Sequence, residues 1–143
     1  DEPTTSVDVT IQAQIMDLLL EIKRKRKMSM MLITHNFGLV AETGDRAAVM
    51  YCGKVVEIGT VRDIFQEPLH PYTQGLMRCL PIGTERRKEL EIIPGTLPSP
   101  INPPEGCRFY PRCKLVMEKC RLREPPLTEL KQGRSVACYL YGG

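Results

Sequence analysis

The sequence over residues 6–36 reads SVDVTIQAQIMDLLLEIKRKRKMSMMLITHN, and it decides the fold that the rest of the chain has to fit. Asp8 stands where a helix N-cap is expected, and apolar residues then recur at helical spacing up to Lys27. They share one face of the predicted helix: Ile11, Ile15, Leu18, Leu19 and Ile22. The continuous apolar run at 30–33 is typical of a buried parallel strand. A turn and a second helix follow it, which predicts a parallel α/β sheet.

Short elements are expected on the C-terminal side of this unit. Each has a local signal, such as a capping side chain, a glycine, or a proline at the first helical position. The predicted elements are a helix over 37–43 between Asn36 and Gly44, a hairpin over 47–59 that turns at Cys52-Gly53, a helix from Thr60 through Phe65, and a helix over 71–79 that begins at Pro71. His70, just before the last of these, is expected to cap or to pack.

Prolines divide the chain near residue 80. Between Pro81 and Pro104 they are frequent enough to exclude helices and central strands over most of the stretch. The elements expected after residue 80 are a strand at 90–93, a helix near 113–121 and a final strand over 135–141. The predicted organisation is α/β, with one domain over 1–80 and a small irregular metal-binding extension over 81–143.

The composition is that of an ordinary globular protein. Of the 143 residues 42% are hydrophobic, and no apolar run approaches the ~20 residues of a membrane helix. The net charge of +3 and the absence of Trp give no support for nucleic acid as a partner. The basic run at 23–27 is expected to be a solvated helix end, where cations interact favourably with the dipole. The first residues are unlike a secretion signal, so the cysteines are expected to be reduced unless they bind metal.

A group of polar residues surrounds the first helix and the apolar run. DEPT at 1–4 and SVD at 6–8 precede the helix, and His35 follows the run. In this order they resemble the ATP-hydrolysing subunits of ABC transporters. The resemblance implies that Asp1 holds Mg²⁺ through its water shell and that Glu2 is the general base. It also implies that Ser6 and Asp8 lie in the loop that reaches the partner subunit's site, and that His35 contacts the γ-phosphate.

Other parts of such an ATP site do not occur in the sequence. It contains no Gly-rich phosphate loop of the form GxxxxGK[ST], no glutamine loop and no LSGGQ-like signature, and no apolar strand precedes Asp1. The fold class expected is therefore the C-terminal half of a P-loop ABC ATPase core, followed by the extension. We expect this chain by itself neither to bind ATP tightly nor to hydrolyse it.

A second resemblance concerns the extension. The segment HPYTQGL at 70–76 is similar to the motif that begins the C-terminal extension of di- and oligopeptide importer ATPases, and the cysteine-containing tail also fits. The resemblance includes the related nickel importers, and it implies a subunit that powers import of peptides across the cell membrane. The implied partners are a second ATPase subunit, identical or not, and transmembrane permease subunits. The implied location is cytoplasmic, on the inner face of the membrane without insertion into it.

Four cysteines in the tail have a spacing that suggests a metal. Cys107, Cys113, Cys120 and Cys138 follow the pattern C-x5-C-x6-C-x17-C. Four thiolates suit Zn²⁺ or an iron–sulfur cluster. Structural zinc sites usually contain C-x2-4-C pairs, which are missing here, and the longer gaps fit a bulkier cluster. The family resemblance implies a [4Fe–4S] cluster, while zinc, disulfides and free thiols stay open.

The expected role of that metal is structural, because the tail is poor in large apolar residues and a metal centre can stabilise such a fold. Nearby cations could offset the cluster's negative charge or be ordinary surface groups: Arg108, Arg112, Lys114, Lys119 and Arg121. The alternative to a structural role is that the cluster senses redox conditions. For the whole chain, the alternative to an ATPase fragment is a stand-alone, non-enzymatic iron–sulfur or zinc interaction module.

Overall fold

The computed structural model describes residues 1–80, 92–99 and 101–142. Its Cα positions divide into two compact units, Asp1–Gly44 and Asp45–Gly143. Each unit has its own secondary structure, and the two are described separately below. This division, between residues 44 and 45, does not test the predicted domain boundary between residues 80 and 81, which stays a prediction.

The first unit contains two helices, both with polar N-caps. Helix α1, Val9–Arg26, begins where Asp8 Oδ1 accepts hydrogen bonds from the N–H groups of Thr10 and Ile11, each at 3.0 Å. It ends at Lys27, whose φ of 49° is left-handed. Helix α2, Phe37–Thr43, is capped by the side chain of Asn36. Both helices were predicted, and both are confirmed with their caps.

The prediction of a strand at 30–33 is wrong, because the structure has no strand at these residues. No strand is assigned anywhere in Asp1–Gly44, and the side chains of Met31 and Ile33 are 88% and 53% exposed. A strand needs a neighbour to pair its backbone groups. The backbone N–H of Glu2 does donate to the carbonyl of Ile33 at 2.8 Å, but one such bond does not make a ladder. Among the described residues, the predicted parallel sheet is therefore not observed.

The second unit is built on a four-stranded antiparallel sheet in the order β1-β2-β4-β3. The strands are β1, Arg46–Tyr51; β2, Lys54–Thr60; β3, Thr128–Lys131; and β4, Arg134–Val136. The predicted hairpin is confirmed as β1 and β2. Its two turn residues, Cys52 and Gly53, have φ values of 46° and 79°, as the tight two-residue turns of hairpins require.

The first two helices of this unit begin at side-chain caps. Helix α3, Val61–Gln66, has a capping box between Thr60 and Asp63, and α4, Pro71–Cys79, is capped by His70. Both were predicted. A 3₁₀ turn follows at Tyr110–Arg112, and α5 covers Glu118–Leu122. The helix predicted near 113–121 is therefore real but short and displaced towards the C-terminus.

The end of the chain differs from the prediction in its strands. The predicted strand over 135–141 is only β4, which ends at Val136, and its partner β3 was missed. Gly133, with φ 76°, lies in the turn between them. Of the strand predicted at 90–93, the first two residues lie outside the described part, and Ile92 and Ile93 are not in a strand.

Aromatic rings form the core of the second unit. Tyr51, Val56 and Phe109 are buried together, and Phe109 meets Tyr51 edge to face with 5.2 Å between the ring centroids. Arg112 holds the 92–99 segment against this core, because its guanidinium donates to the carbonyls of Ile93 and Pro94 at 2.8 and 3.0 Å. No helix in the described ranges is long and apolar enough to cross a membrane.

Candidate functional site

Two residues predicted to be catalytic lie in contact in the first unit. Oε1 of Glu2 is 2.6 Å from Nδ1 of His35, and the hydroxyl of Thr5 donates to Oε2 of the same carboxylate. The backbone bond between Glu2 and Ile33 fixes the start of the chain beside the segment that leads to His35. Thus residues far apart in sequence form one polar cluster, which we call the Glu2–His35 pair.

The surroundings of the pair keep Glu2 ionised. The hydrogen bond from Thr5, and after it the contact with His35, hold the pKa of the Glu2 carboxyl below its ordinary value. The pair is open to water, since the His35 side chain is 81% exposed. An ionised, oriented carboxylate next to solvent can accept a proton from a water molecule. This is the chemistry that the resemblance implies for Glu2.

Three further predicted residues lie near the Glu2–His35 pair in sequence but have other local roles. Asp1 is exposed, and Ser6 has a left-handed φ of 69° in the turn before α1. The Asp8 carboxylate caps α1. The predicted roles of Asp1, Ser6 and Asp8 towards Mg²⁺ or a partner subunit stay predictions.

The four tail cysteines line a single cavity in the second unit, together with His70. The N–H of Cys107 donates to the carbonyl of Cys120 at 2.8 Å, which joins the 3₁₀ region to α5. Gly106 makes this approach possible, because a Cβ there would lie 2.2 Å from the Cys120 carbonyl oxygen. Cys138 reaches the cavity just after β4. We call this arrangement the four-cysteine cavity.

Burial dominates the acid–base chemistry of these thiols. It raises the pKa of Cys107 to about 11, and it raises the pKa values of Cys113 and Cys138 above the ordinary range. Negative charge on the other tail cysteines also raises these pKa values, because the thiols lie near one another. Without a cation the cavity therefore favours neutral thiols. A bound metal reverses this preference, because it stabilises the thiolate.

The donor set suits a thiolate-bound metal group. None of the four tail cysteines forms a disulfide, so the disulfide alternative is not what the structure contains. Four sulfur-bearing side chains around one cavity are the ligands that zinc and iron–sulfur clusters take. In the parts of the chain that are described, no three potential ligands are grouped closely enough to hold a metal ion as they stand.

The cations near the cysteines mostly have other partners. Arg108 donates to the carbonyl of Cys52, and Arg112 to those of the 92–99 segment. Lys119 lies 4.6 Å from the ring centroid of Tyr139, and Arg121 lies over Tyr110. These contacts give four of the five cations a structural role in the fold.

Sequence reasoning missed one buried charge beside the cavity. Glu57 on β2 has no exposed surface, and its oxygens accept the N–H groups of Leu69 and His70, each at 2.9 Å. The signal was present, since Glu57 is a single carboxylate within the apolar run Val55-Val56-Glu57-Ile58. His70 was expected to cap or pack, which is confirmed, but its place in the wall of the four-cysteine cavity was not expected.

Comparison with known proteins adds independent information. Residues 56–120 match the family described as oligopeptide/dipeptide transporter, C-terminal region. The chain is 51% identical over 141 residues to an oligopeptide transport ATP-binding protein of Bacillus subtilis, covering 99% of this chain and 43% of that protein. It is 52% and 48% identical to dipeptide transport ATP-binding proteins of Haemophilus influenzae and Escherichia coli, covering 97% of this chain and 42% of each relative. The chain thus spans less than half the length of these relatives.

Proposed function

Since the chain belongs to the family of oligopeptide and dipeptide transport ATP-binding proteins, we propose that it is part of the ATP-hydrolysing subunit of a peptide importer. Residues 1–80 then belong to the ATPase domain, and residues 81–143 to the extension. The observation that carries the proposal is the 2.6 Å contact in the Glu2–His35 pair. It joins the residue proposed as general base to the residue proposed to sense the γ-phosphate.

The chemistry proposed for this end of the chain is the activation of water. Glu2 is held ionised by Thr5 and His35, so it can accept the proton of a water molecule that attacks a phosphoryl group. His35 fixes the orientation of that carboxylate. Asp1 is the residue proposed to hold Mg²⁺ through water, and the cation when bound would neutralise phosphate charge. Ser6 and Asp8 are the residues proposed to reach a second ATPase subunit.

The partners and place in the cell follow from the same proposal. The relatives are named for transport of oligopeptides or dipeptides, and an importer of that kind couples ATP hydrolysis to permease subunits in the membrane. We infer that this subunit binds those permeases from the cytoplasmic side. Whether a dipeptide, an oligopeptide or nickel is transported depends on the other subunits.

A chimera tests the proposal directly. In a Haemophilus influenzae strain that lacks its dipeptide transport ATP-binding protein, the matching segment of that protein would be replaced by this chain. We expect the chimera to restore dipeptide-dependent growth, and Glu2→Gln in the chimera to abolish it. Glu42→Gln, at an exposed position of α2, is the matched control and should retain growth. A chimera that is made in normal amounts but supports growth equally with Glu2→Gln would overturn the role of Glu2.

The isolated chain should behave differently from the chimera. Because the sequence contains no phosphate loop, we expect no Mg²⁺-dependent ATP hydrolysis above background from the pure 143-residue chain. A rate abolished by Glu2→Gln would contradict this. The stand-alone interaction module, the alternative, predicts a chimera without activity and a metal-loaded chain that binds another protein.

For the four-cysteine cavity we propose a [4Fe–4S] cluster with a structural role, with zinc as the alternative. The four cysteines share one cavity, and the metal when bound would supply cross-links between α5, β4 and the 3₁₀ turn. Anaerobic purification followed by iron, zinc and sulfide analysis tests this. Iron with sulfide and broad visible absorption is expected, whereas stoichiometric zinc without colour selects the alternative. Cys52→Ser should leave the metal content unchanged, and Cys120→Ser should reduce it.

A further inference from the structure

The C-terminal end of helix α1 is surrounded by cations. The five residues from Lys23 to Lys27 are all Lys or Arg, and we call them the basic run. Successive side chains of a helix point about 100° apart, so those of the run are distributed around the helix axis. Arg24, Lys25, Arg26 and Lys27 are exposed. The end of the helix is therefore a concentrated patch of positive charge that is open to solvent.

The positive charge of the chain is concentrated in the basic run. The chain as a whole has a net charge of +3, which is less than the run alone contributes, so the remaining residues are net negative. Within α1, Nζ of Lys25 lies 2.5 Å from Oε1 of Glu21, and the two side chains are 72% and 55% exposed. An ion pair so exposed is weak, so it leaves the patch available to a more negative surface.

Lys27 occupies a backbone position that favours glycine. Its φ is 49°, its N–H donates to the carbonyl of Arg24 at 3.3 Å, and the N–H of Met28 donates to the carbonyl of Lys23 at 3.2 Å. These two bonds form a Schellman motif, in which the left-handed residue is usually glycine because a Cβ is unfavourable there. The chain thus has another cation where glycine would be less strained.

Two methionines are exposed just beyond the basic run. Met28 is 50% exposed and Met31 is 88% exposed, and both lie in a segment without helix or strand. Methionine side chains are apolar and flexible, so they adapt to an irregular apolar environment. Cations beside exposed apolar side chains are the combination that binds anionic bilayers, because the cations reach lipid phosphates while the apolar groups enter the acyl boundary.

Other polyanions fit this surface less well. Residues 1–44 contain Phe37 as their single Phe, with no Tyr or Trp, so the bases of a single-stranded nucleic acid have little to stack on. A purely acidic protein surface would pair with the cations but would leave the methionines in water. A surface that is anionic outside and apolar beneath matches both features.

We propose that the basic run, together with Met28 and Met31, binds anionic lipid headgroups at the surface of a membrane. Arg24, Arg26 and Lys27 pair with the lipid phosphates, and the two methionine side chains enter the boundary between headgroups and acyl chains. This interaction surface goes beyond the proposed role in a peptide importer and does not depend on ATP hydrolysis. It would give the first unit a membrane contact of its own, in addition to any contact with permease subunits.

Flotation of the 143-residue chain with lipid vesicles tests the proposal, because aggregated protein sinks while bound protein rises. One kind of vesicle contains phosphatidylglycerol and phosphatidylcholine, and the other contains phosphatidylcholine alone. The main variant combines Arg24→Gln with Arg26→Gln, since Gln has nearly the helix propensity of Arg. The matched control combines Arg123→Gln with Lys131→Gln, which removes the same charge from exposed positions of the second unit.

We expect the unmodified chain to float with the phosphatidylglycerol vesicles and to dissociate as salt is added. Each cation lost should weaken binding about fivefold, so the main variant should bind at least about tenfold more weakly. The control pair should bind as the unmodified chain does. Met28→Ser combined with Met31→Ser should weaken binding at least about threefold at every salt concentration, without changing how steeply binding depends on salt.

Lys27→Gly separates binding from stability. Glycine relieves the left-handed backbone at this position, so the thermal midpoint should stay the same or rise. Binding to the phosphatidylglycerol vesicles should nevertheless fall about fivefold, because one cation is lost. Unfolding cannot explain a variant that is at least as stable and yet binds more weakly. An unchanged affinity in Lys27→Gly would remove this residue from the proposed surface.

Other results would overturn the inference. Flotation with neither kind of vesicle, or equal flotation with both, would exclude anionic lipid as the ligand while leaving the proposed ATPase role unaffected. Equal weakening by the control pair would show that total charge, not the basic run, is responsible. Tighter binding to poly-glutamate than to vesicles, lost in the Arg24→Gln and Arg26→Gln variant, would assign the run to an acidic protein surface instead.

Discussion

The buried carboxylate of Glu57 holds the backbone of His70, with Oε2 accepting its N–H at 2.9 Å. The second oxygen accepts the N–H of Leu69, so both oxygens of Glu57 are used at the start of α4. One side chain of β2 thereby satisfies two backbone donors that would otherwise be buried without partners. It also determines where the ring of His70 lies in the four-cysteine cavity.

We expect Glu57→Gln to destabilise the chain. The amide keeps one acceptor, but its NH₂ group would face a backbone N–H, so one buried hydrogen bond to a carboxylate is lost at a cost of about 1.5–3 kcal/mol. Urea unfolding followed by circular dichroism measures the change. Glu42→Gln, on the exposed surface of α2, is the control and should fall within about 0.5 kcal/mol of the unmodified chain. An equally stable Glu57→Gln chain would mean that these two backbone bonds contribute little.

Gly106→Ala should damage the second unit more than an ordinary glycine substitution. The added Cβ would lie 2.2 Å from the Cys120 carbonyl oxygen, so backbone has to move, at a cost of about 3 kcal/mol or more. Thermal unfolding and metal content should both fall. Gly59→Ala is the comparison, because there the nearest atom is a side-chain carbon of Asp63 at 3.3 Å. Similar losses for the two variants would contradict the argument from close approach.

The contacts of the Glu2–His35 pair predict how the Glu2 carboxyl titrates in acid. The pKa of Glu2 is lowered by the hydrogen bond from the Thr5 hydroxyl, which is the largest single cause, and by its contacts with His35. The ionised form and its contact with His35 are therefore complete above the ordinary carboxyl pKa, and they are lost as the pH falls through the lowered value. Carboxyl ¹³C resonances would follow the titration. Thr5→Val and His35→Ala should each raise the pKa of Glu2, and a variant that leaves it unchanged would contradict the assignment.

The exposed apolar side chains of helix α1 predict that the chain associates with itself. Ile11, Leu18 and Ile22 are 41%, 57% and 42% exposed, and exposed apolar patches of this kind promote association. We expect sedimentation analysis to show oligomers that increase with concentration. Leu18→Lys should shift the chain towards the monomer without loss of helix. Lys25→Glu, on the same helix but at a charged position, is the control and should leave the distribution largely as it is.

Local signals made many elements predictable. Asp8, Asn36 and Thr60 each cap the helix that was assigned to them, because capping needs only a side-chain oxygen and the N–H groups two or three residues later. The hairpin turn at Cys52-Gly53 was predictable for the same reason. These features depend on neighbours in sequence, so one sequence is sufficient to find them.

Features that depend on distant partners were not predictable. The run at 30–33 has the composition of a strand, but no strand lies beside it in its unit to complete a ladder. β3 was missed because its alternation is weak, with only Thr128 partly buried, and its pairing with β4 supplies what its own sequence does not. The contact between Glu2 and His35 was not worked out from the residues, and Glu57 acquired its role only from the loop that packs against it.

The pairing of β2 with β4 has a consequence for how the molecule is made. Ile58 pairs with Ser135, so this part of the sheet forms only when β4 meets a hairpin that lies far earlier in the sequence. Contacts between such distant residues form slowly, and intermediates that await them expose apolar surface. Cys138 follows this pairing directly. The four-cysteine cavity, which Cys138 helps to line, therefore depends on a pairing between strands that lie far apart in the sequence.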